Sequence, residues 1–246
     1  MEAGKMVLVN FTGRVVASNA IFETTEEKKA IEAGAFDQNK KYKPELIVIG
    51  SGEMLKPIEE ALGKMNIGEE KKIVLKPQEA FGERNQKLIG IVPLHDFQER
   101  KINPSPGLMI EMNDRVGKVQ SVSGGRVRVD FNHPLAGKEV EFELKIEKEL
   151  KGTEEKIQGL FEKFFGVIPE SEKKLLIKED RVEISLDPKY AQAVAPVKKA
   201  FSEIITKNVK GITSVKFTEE FKAEKPKESS EEKEKQSAKK KAKKQE

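Results

Sequence analysis

The sequence predicts an α+β protein in which an antiparallel sheet wraps over a short helix, a small β-rich unit lies between two of the sheet's strands, and a compact α+β unit follows. Three observations carry this. Val7, Val9 and Phe11 alternate with Leu8, Asn10 and Thr12, and Val140, Phe142, Leu144 and Ile146 alternate with Glu141, Glu143, Lys145 and Glu147, which is the period of half-buried strands. Met54, Leu55, Ile58, Ala61, Leu62 and Met65 recur at the spacing of one apolar helix face. Beyond residue 150 the pattern runs helix, strand, strand, helix, strand.

In chain order, the first strand occupies residues 6–16, with Gly13 marking a bulge or turn. Leu46 to Ile49 form a second compact apolar run that ends at Gly50. The helix opens next, and Pro57 is tolerated because it falls in the first turn, where a missing N–H has no intrahelical partner to lose. After the Asn66-Ile67-Gly68 turn, Lys71 to Leu75 read as a strand.

Between Glu83 and Asn132 the apolar spacing changes. Ile89, Ile91, Val92, Leu94 and Phe97 are followed by residues 108–112, and a hairpin around Ser123-Gly124-Gly125 leads to Val127, Val129 and Phe131. Asn103-Pro104-Ser105-Pro106-Gly107 is the turn of this unit. A unit of about 50 residues has a marginal core, so its apolar groups have two readings. They fill the interior, or Ile91, Leu94, Phe97, Met109 and Met112 leave an adaptable apolar surface able to grip unfolded chain. In the third region Ile157, Leu160, Phe161, Phe164 and Phe165 make a helical stripe, and a hairpin turns at Glu179-Asp180. Pro188 then starts a helix carrying Tyr190, Val194, Val197, Phe201, Ile204 and Ile205, and residues 214–218 form the last strand.

Composition excludes several classes of function. The chain has no Cys, so disulfides, thiolate catalysis and thiolate metal sites are absent together, and a reducing compartment such as the cytoplasm is expected. No segment approaches the ~18 consecutive apolar residues of a membrane span, and the start lacks a signal-peptide apolar core. The formal charge of +4 sits entirely in residues 222–246, which hold ten Lys and six Glu, so the body is neutral. That tail is too poor in apolar residues to fold and is expected to be disordered. It reads either as a solubilising segment or as one weakly attracted to ribosome, RNA or another polyanion.

Residues for nucleophilic or metal chemistry are scarce. The two His, His95 and His133, stand far apart and lack the local pairing of a metal site. His133 is expected to make a structural hydrogen bond where the insert rejoins the flap, with a direct substrate role as the alternative. No nucleophile elbow is present, and Gly50-Ser51-Gly52 is too short for a phosphate-binding loop.

The run Gly50-Ser51-Gly52-Glu53-Met54-Leu55-Lys56-Pro57-Ile58-Glu59-Glu60-Ala61-Leu62, with Ala80-Phe81-Gly82 after it and Ile21-Phe22-Glu23 before it, resembles the FKBP family of peptidyl-prolyl isomerases. Asn132-His133-Pro134-Leu135-Ala136-Gly137-Lys138 and the strand after it resemble the flap of the SlyD-like branch, in which a small domain is inserted. The resemblance covers residues 6–150, and the long extension resembles that of archaeal long-type members. It implies an isomerase domain over residues 1–83 and 133–150, an insert-in-flap domain over 84–132, a C-terminal α+β domain over 151–223 and the tail over 224–246.

It further implies a proline pocket walled by Phe11, Phe22, Met54, Leu55, Ile58, Phe81 and Phe142, with Leu55 offering its backbone N–H to the bound peptide and Glu23 shaping the polar edge. Glu23, Pro57, Ile58 and Phe81 stand where the family commonly has Asp, Gly, a large aromatic and Tyr. The resemblance implies no cofactor, and unfolded polypeptides with X-Pro bonds as partners. The alternative is a peptide-binding chaperone that keeps the fold without turnover.

Overall fold

The computed structural model describes residues 4–112 and 115–219. The Lys-rich tail expected over 224–246 lies outside the described residues. The described residues form two compact units, one built on those from 4 up to Lys163 together with Lys207–Lys210, the other on Phe164–Thr206 and residues 211–219.

The first unit opens with β1 (Met6–Val15), β2 (Ile21–Thr24), α1 (Glu27–Glu32), β3 (Glu45–Val48), α2 (Lys56–Lys64) and β4 (Glu70–Leu75). Next come β5 (Ile89–Pro93), α3 (Leu94–Glu99), β6 (Met109–Met112), β7 (Arg115–Ser123) and β8 (Arg126–Asp130). The strand β9 (Val140–Leu150) returns to the first sheet, and α4 (Thr153–Phe165) follows it. The first sheet runs β2-β1-β9-β4, with β3 also on β1, and every pairing is antiparallel. One edge of β1 is thus shared: Met6 to Val9 pair with β3 and Thr12 to Arg14 with β2.

The alternation seen in the sequence sets the inner face. Val7, Val9, Phe11, Val140, Phe142, Leu144 and Ile146 are buried against Ile58, Ala61, Leu62 and Met65 of α2 and its C-cap. Burying four such helix residues contributes about 1.5–3 kcal/mol for each large side chain, which holds a helix too short to be stable alone. The Gly13 bulge expected from the sequence is present, as a register shift between Gly13 and Arg14 in the β1–β2 pairing. The strand does not turn there but continues to Val15.

The insert folds as its own antiparallel sheet, ordered β5-β8-β7-β6. Among the described residues its apolar core cluster is Phe97, Ile110, Met112, Val119, Val127 and Val129. The helix α3 was not expected within a β-rich unit; it carries Phe97, which is fully buried in the small core. The insert's two crossings are stitched together. Arg84 donates from Nε and Nη2 to Oδ2 of Asp130 (3.1 and 2.6 Å), and the Asn85 N–H donates to Oδ1 of Asn132 (2.8 Å). Partial burial alone would raise the Asp130 carboxyl, but the hydrogen bonds from Asn132 and the Arg84 guanidinium bring it below its ordinary value.

The second unit contains β10 (Lys173–Ile177), β11 (Arg181–Leu186), α5 (Ala191–Asn208) and β12 (Ser214–Glu219). β10 pairs antiparallel and β12 parallel with β11. Phe165, Phe201 and Phe217 form its aromatic centre, with ring centroids 5.2 to 6.2 Å apart. The element order is the one read from the sequence. The division between the compact units falls after Lys163, whereas the sequence reading begins the third region at residue 151. Close packing at Gly159 explains why the start of α4 stays with the first unit: a Cβ there would lie 2.8 Å from Leu150 Cδ1 and 3.4 Å from Leu46 Cδ2.

Candidate active site

Four elements bring the expected residues to one place. Phe11 comes from β1, Phe22 and Glu23 from β2, Ile58 from the first turn of α2, and Phe142 from β9. Met54 and Leu55 stand just ahead of α2, and Phe81 follows the 3-10 turn Pro77–Glu79. All eight line a single cavity of about 770 Å³. Ile58 is fully buried and forms its floor, while Phe22, Met54, Leu55 and Phe81 are half-buried around it.

The aromatic wall is continuous. Phe22 meets Phe142 edge to face at 5.6 Å and Phe81 at 5.9 Å, and Phe81 stacks on the His133 ring at 4.6 Å with an interplanar angle of 3°. Such pairs contribute about 0.5–1.5 kcal/mol each beyond their burial. The wall needs Gly13 beneath it: a Cβ there would lie 2.5 Å from Phe22 and 3.0 Å from Phe142. Any side chain at position 13 would therefore drive the two rings apart. Gly13 reads from the sequence as a bulge, and its second task as clearance depends on a cross-strand neighbour that spacing does not reveal.

His133, Pro134, Leu135, Glu45, Gly52 and Glu53 also line the cavity and were not singled out for it. The Leu135 N–H donates to Nδ1 of His133 (3.2 Å), which is the structural hydrogen bond expected of this residue. The signal for His133 was present in the Asn132 to Lys138 run; its stacking on Phe81 is a tertiary event.

The loop ahead of α2 is held by its backbone. Gly50 and Gly52 have φ of 82° and 80°, the left-handed region that favours glycine. The N–H groups of Gly52 and Met54 donate to Oε1 of Glu59 (2.9 and 3.3 Å). The Leu55 carbonyl accepts from Ile58 and Glu59, while its N–H has no acceptor among the described residues. A ligand carbonyl entering the cavity would meet that N–H. The cavity's charged lining consists of Glu23, Glu45 and Glu53; Glu23 pairs with Lys40 and Glu53 with Lys163. Among the described residues no group of three or more His, Asp or Glu could hold a metal ion.

A second cavity of about 930 Å³ shares lining residues with the first. His133 and Pro134 line both, and Met109, Val116, Phe131 and Lys118 continue the second onto the insert. The insert residues named from the sequence divide here. Ile91 (67% exposed) and Met109 (50%) lie on the surface, and Leu94 is half-buried against the core. Phe97 (0%) and Met112 (6%) are interior, so they offer no surface to a partner, which corrects the reading of all five as one grip. A core of six residues cannot release its largest side chain. Val116 (58%) supplies exposed apolar surface that the sequence reading missed.

The opposite face of the first sheet is an ion network. Glu143 accepts from Lys72 (2.5 Å) and Lys29 (2.9 Å) and lies 3.2 Å from Arg14. The Lys72 hydrogen bond, with the Lys29 hydrogen bond and the charges of Lys29 and Arg14 behind it, holds the Glu143 carboxyl down to about 2. No helix among the described residues is long and apolar enough to cross a membrane.

Family comparisons agree with this geometry. The model of the FKBP-type peptidyl-prolyl cis-trans isomerase family matches residues 1–96, that of the FKBP26 IF domain residues 90–135, and that of the FKBP26 C-terminal region residues 153–222. The short-type peptidyl-prolyl cis-trans isomerase of Methanocaldococcus jannaschii is 32% identical over 146 residues, 59% of this chain and 92% of that protein. The FKBP-type peptidyl-prolyl cis-trans isomerase SlyD of Helicobacter pylori is 28% identical over 124 residues, 49% and 67% of the two chains. The FKBP-type 16 kDa peptidyl-prolyl cis-trans isomerase of Escherichia coli K12 is 27% identical over 108 residues, 42% and 72%. With one relative matched at this identity over nearly its whole length, and three family models following one another along the sequence, the chain belongs to the FKBP-type peptidyl-prolyl cis-trans isomerase family.

Proposed function

We propose that the chain isomerises X-Pro bonds in unfolded or partly folded polypeptides at the cavity walled by Phe11, Phe22, Met54, Leu55, Ile58, Phe81 and Phe142, and that the insert captures the chain and feeds it there. The observation that carries this is that His133 and Pro134 line both cavities. In this reading a polypeptide lying across Met109 and Val116 passes these two shared residues on its way to the proline cavity.

The chemistry needs no titrating group. Amide resonance creates a barrier of ~18–20 kcal/mol, and the twisted amide carries less charge separation than the planar one. Apolar walls desolvate the planar amide more unfavourably than the twisted amide, and the Leu55 N–H orients the carbonyl of the bound peptide. Lowering the barrier by about 5 kcal/mol accelerates the reaction by on the order of 10³ to 10⁴. Phe81 has no hydroxyl, so the donor role falls on the backbone. Glu23, paired with Lys40, marks the polar edge of the cavity.

The domain boundaries belong to the same reading: isomerase over 1–83 and 133–150, insert over 84–132, C-terminal domain over 151–223. So does a cytoplasmic location, which suits a chain without Cys. For the tail, the proposal is weak attraction to RNA or ribosome; RNA binding that survives removal of residues after Ala223 would refute it.

The test is the cis-to-trans rate of a short X-Pro peptide, followed by exchange NMR with the full chain and with Phe142→Leu. The parent should accelerate exchange far above the uncatalysed rate, which takes tens to hundreds of seconds. Losing one edge-to-face wall should reduce kcat/KM about fivefold to tenfold. Full activity in Phe142→Leu would remove this cavity from the mechanism.

A further inference from the structure

We infer that Lys163 is a positioning residue for the isomerase cavity, through which helix α4 sets the loop that receives the substrate. The inference rests on the reading of that cavity as the peptide site. The Lys163 Nζ donates to the carbonyl of Leu46 (2.6 Å) and to Oε2 of Glu53 (2.6 Å), and Oε1 of Glu45 lies 3.9 Å away. Leu46 belongs to β3, and Glu53 immediately precedes Met54 and Leu55. One ammonium therefore ties a core strand to the loop whose backbone would orient the substrate carbonyl. Its side chain is 20% exposed and that of Glu53 25%, so solvent screens this pair less than a surface pair. Hydrogen bonds with both partners charged are about twice as strong as neutral ones.

Gly159 is the second observation. It lies one turn before Lys163 on the same helix face, and it packs that face closely on Leu150 and Leu46: a Cβ there would lie 2.8 Å from Leu150 Cδ1 and 3.4 Å from Leu46 Cδ2. Gly159 and Lys163 thus hold one face of α4 against β9 and β3. From the other side, Glu59 grips the Gly52 and Met54 N–H groups. Leu55 sits beside both grips, in a loop whose left-handed Gly50 and Gly52 offer little resistance of their own. Without Lys163, the Glu53 and Glu45 carboxylates would face each other unneutralised at the cavity edge, and the loop would shift away from the bound peptide.

The experiment compares Lys163→Met, Lys163→Arg and Glu53→Gln in the full chain, with peptide turnover by exchange NMR and the Leu55 amide resonance followed in the same samples. Displacing the loop should lower kcat/KM of Lys163→Met about tenfold, mostly through KM, and move the Leu55 resonance. Lys163→Arg retains donors for both partners and should restore kcat/KM to within about twofold. A Lys163→Met protein that keeps kcat/KM within about twofold of the parent overturns the inference. Should Lys163→Met fail to fold, Glu53→Gln decides: a raised KM supports the clamp and an unchanged KM overturns it. If Phe142→Leu loses turnover while the Lys163 and Glu53 variants do not, only the clamp has failed; if Phe142→Leu is also silent, the reading of the cavity has failed and the clamp with it.

Discussion

The isomerase sheet and the insert are both small antiparallel sheets with an apolar face, yet they spend their apolar residues differently. The first buries fourteen side chains, enough to leave Phe22, Met54, Leu55 and Phe81 half-buried around a cavity without losing its core. The insert buries six, and Phe97 and Met112 are drawn inside while Ile91, Met109 and Val116 stay out. Size is the reason. A larger core can maintain a concave wall of aromatic rings, whereas a marginal one keeps its bulkiest residues for itself and leaves the rest exposed.

The two sheets differ most in how far they depend on one side chain, which for the insert is Phe97. Phe97→Ala removes the centre of the six-residue core and should destabilise the insert by about 3–5 kcal/mol. Loss of hydrogen-exchange protection in β5 to β8, together with lost action on unfolded proteins and preserved tetrapeptide turnover, is the expected outcome. Retained protection would mean that the insert does not depend on this core.

The rigidity of the larger sheet is sharpened at Glu143. Its carboxyl is depressed from an ordinary 4.5 to about 2, so its contribution is complete above pH 4.5 and disappears as the pH falls toward 2. Glu143→Gln should therefore cost about 1–2 kcal/mol at neutral pH, allowing for screening of the exposed Lys72, and flatten the stability profile between those two pH values. Denaturant titrations at several pH values would check it, and parallel profiles for parent and variant would contradict the assignment of the network.

The smallest effect is expected on the insert's outer surface. Met109→Ser combined with Val116→Ser should change stability by less than about 0.5 kcal/mol, because neither side chain is buried. Suppression of aggregation of an unfolded client should fall about threefold as the apolar surface is lost. Unchanged suppression would move the capture surface elsewhere, with Ile91 next to be tested.

Much of this was legible in the chain. Strand alternation identified the inner faces of β1 and β9, the helical stripe identified α2 with Pro57 in its first turn, and the motif order brought eight residues to a single cavity. The second unit's element order was also readable, because long periodic segments carry their own evidence. The α3 helix was not, since six residues hold too little periodicity to stand out from the neighbouring strand.

What the sequence determined by itself is which residues share a face: period two in β1 and β9, and period 3.6 in α2, follow from backbone geometry alone. What lies opposite each face was decided only by tertiary structure. Whether Phe97 or Ile91 turns inward, why Gly13 must be bare beneath Phe22 and Phe142, that His133 stacks on Phe81, and that Lys163 reaches Glu53 are all meetings between distant segments. Local spacing carries no record of such meetings, because the partner that fixes each side chain lies in another part of the chain and is brought near only when the core closes.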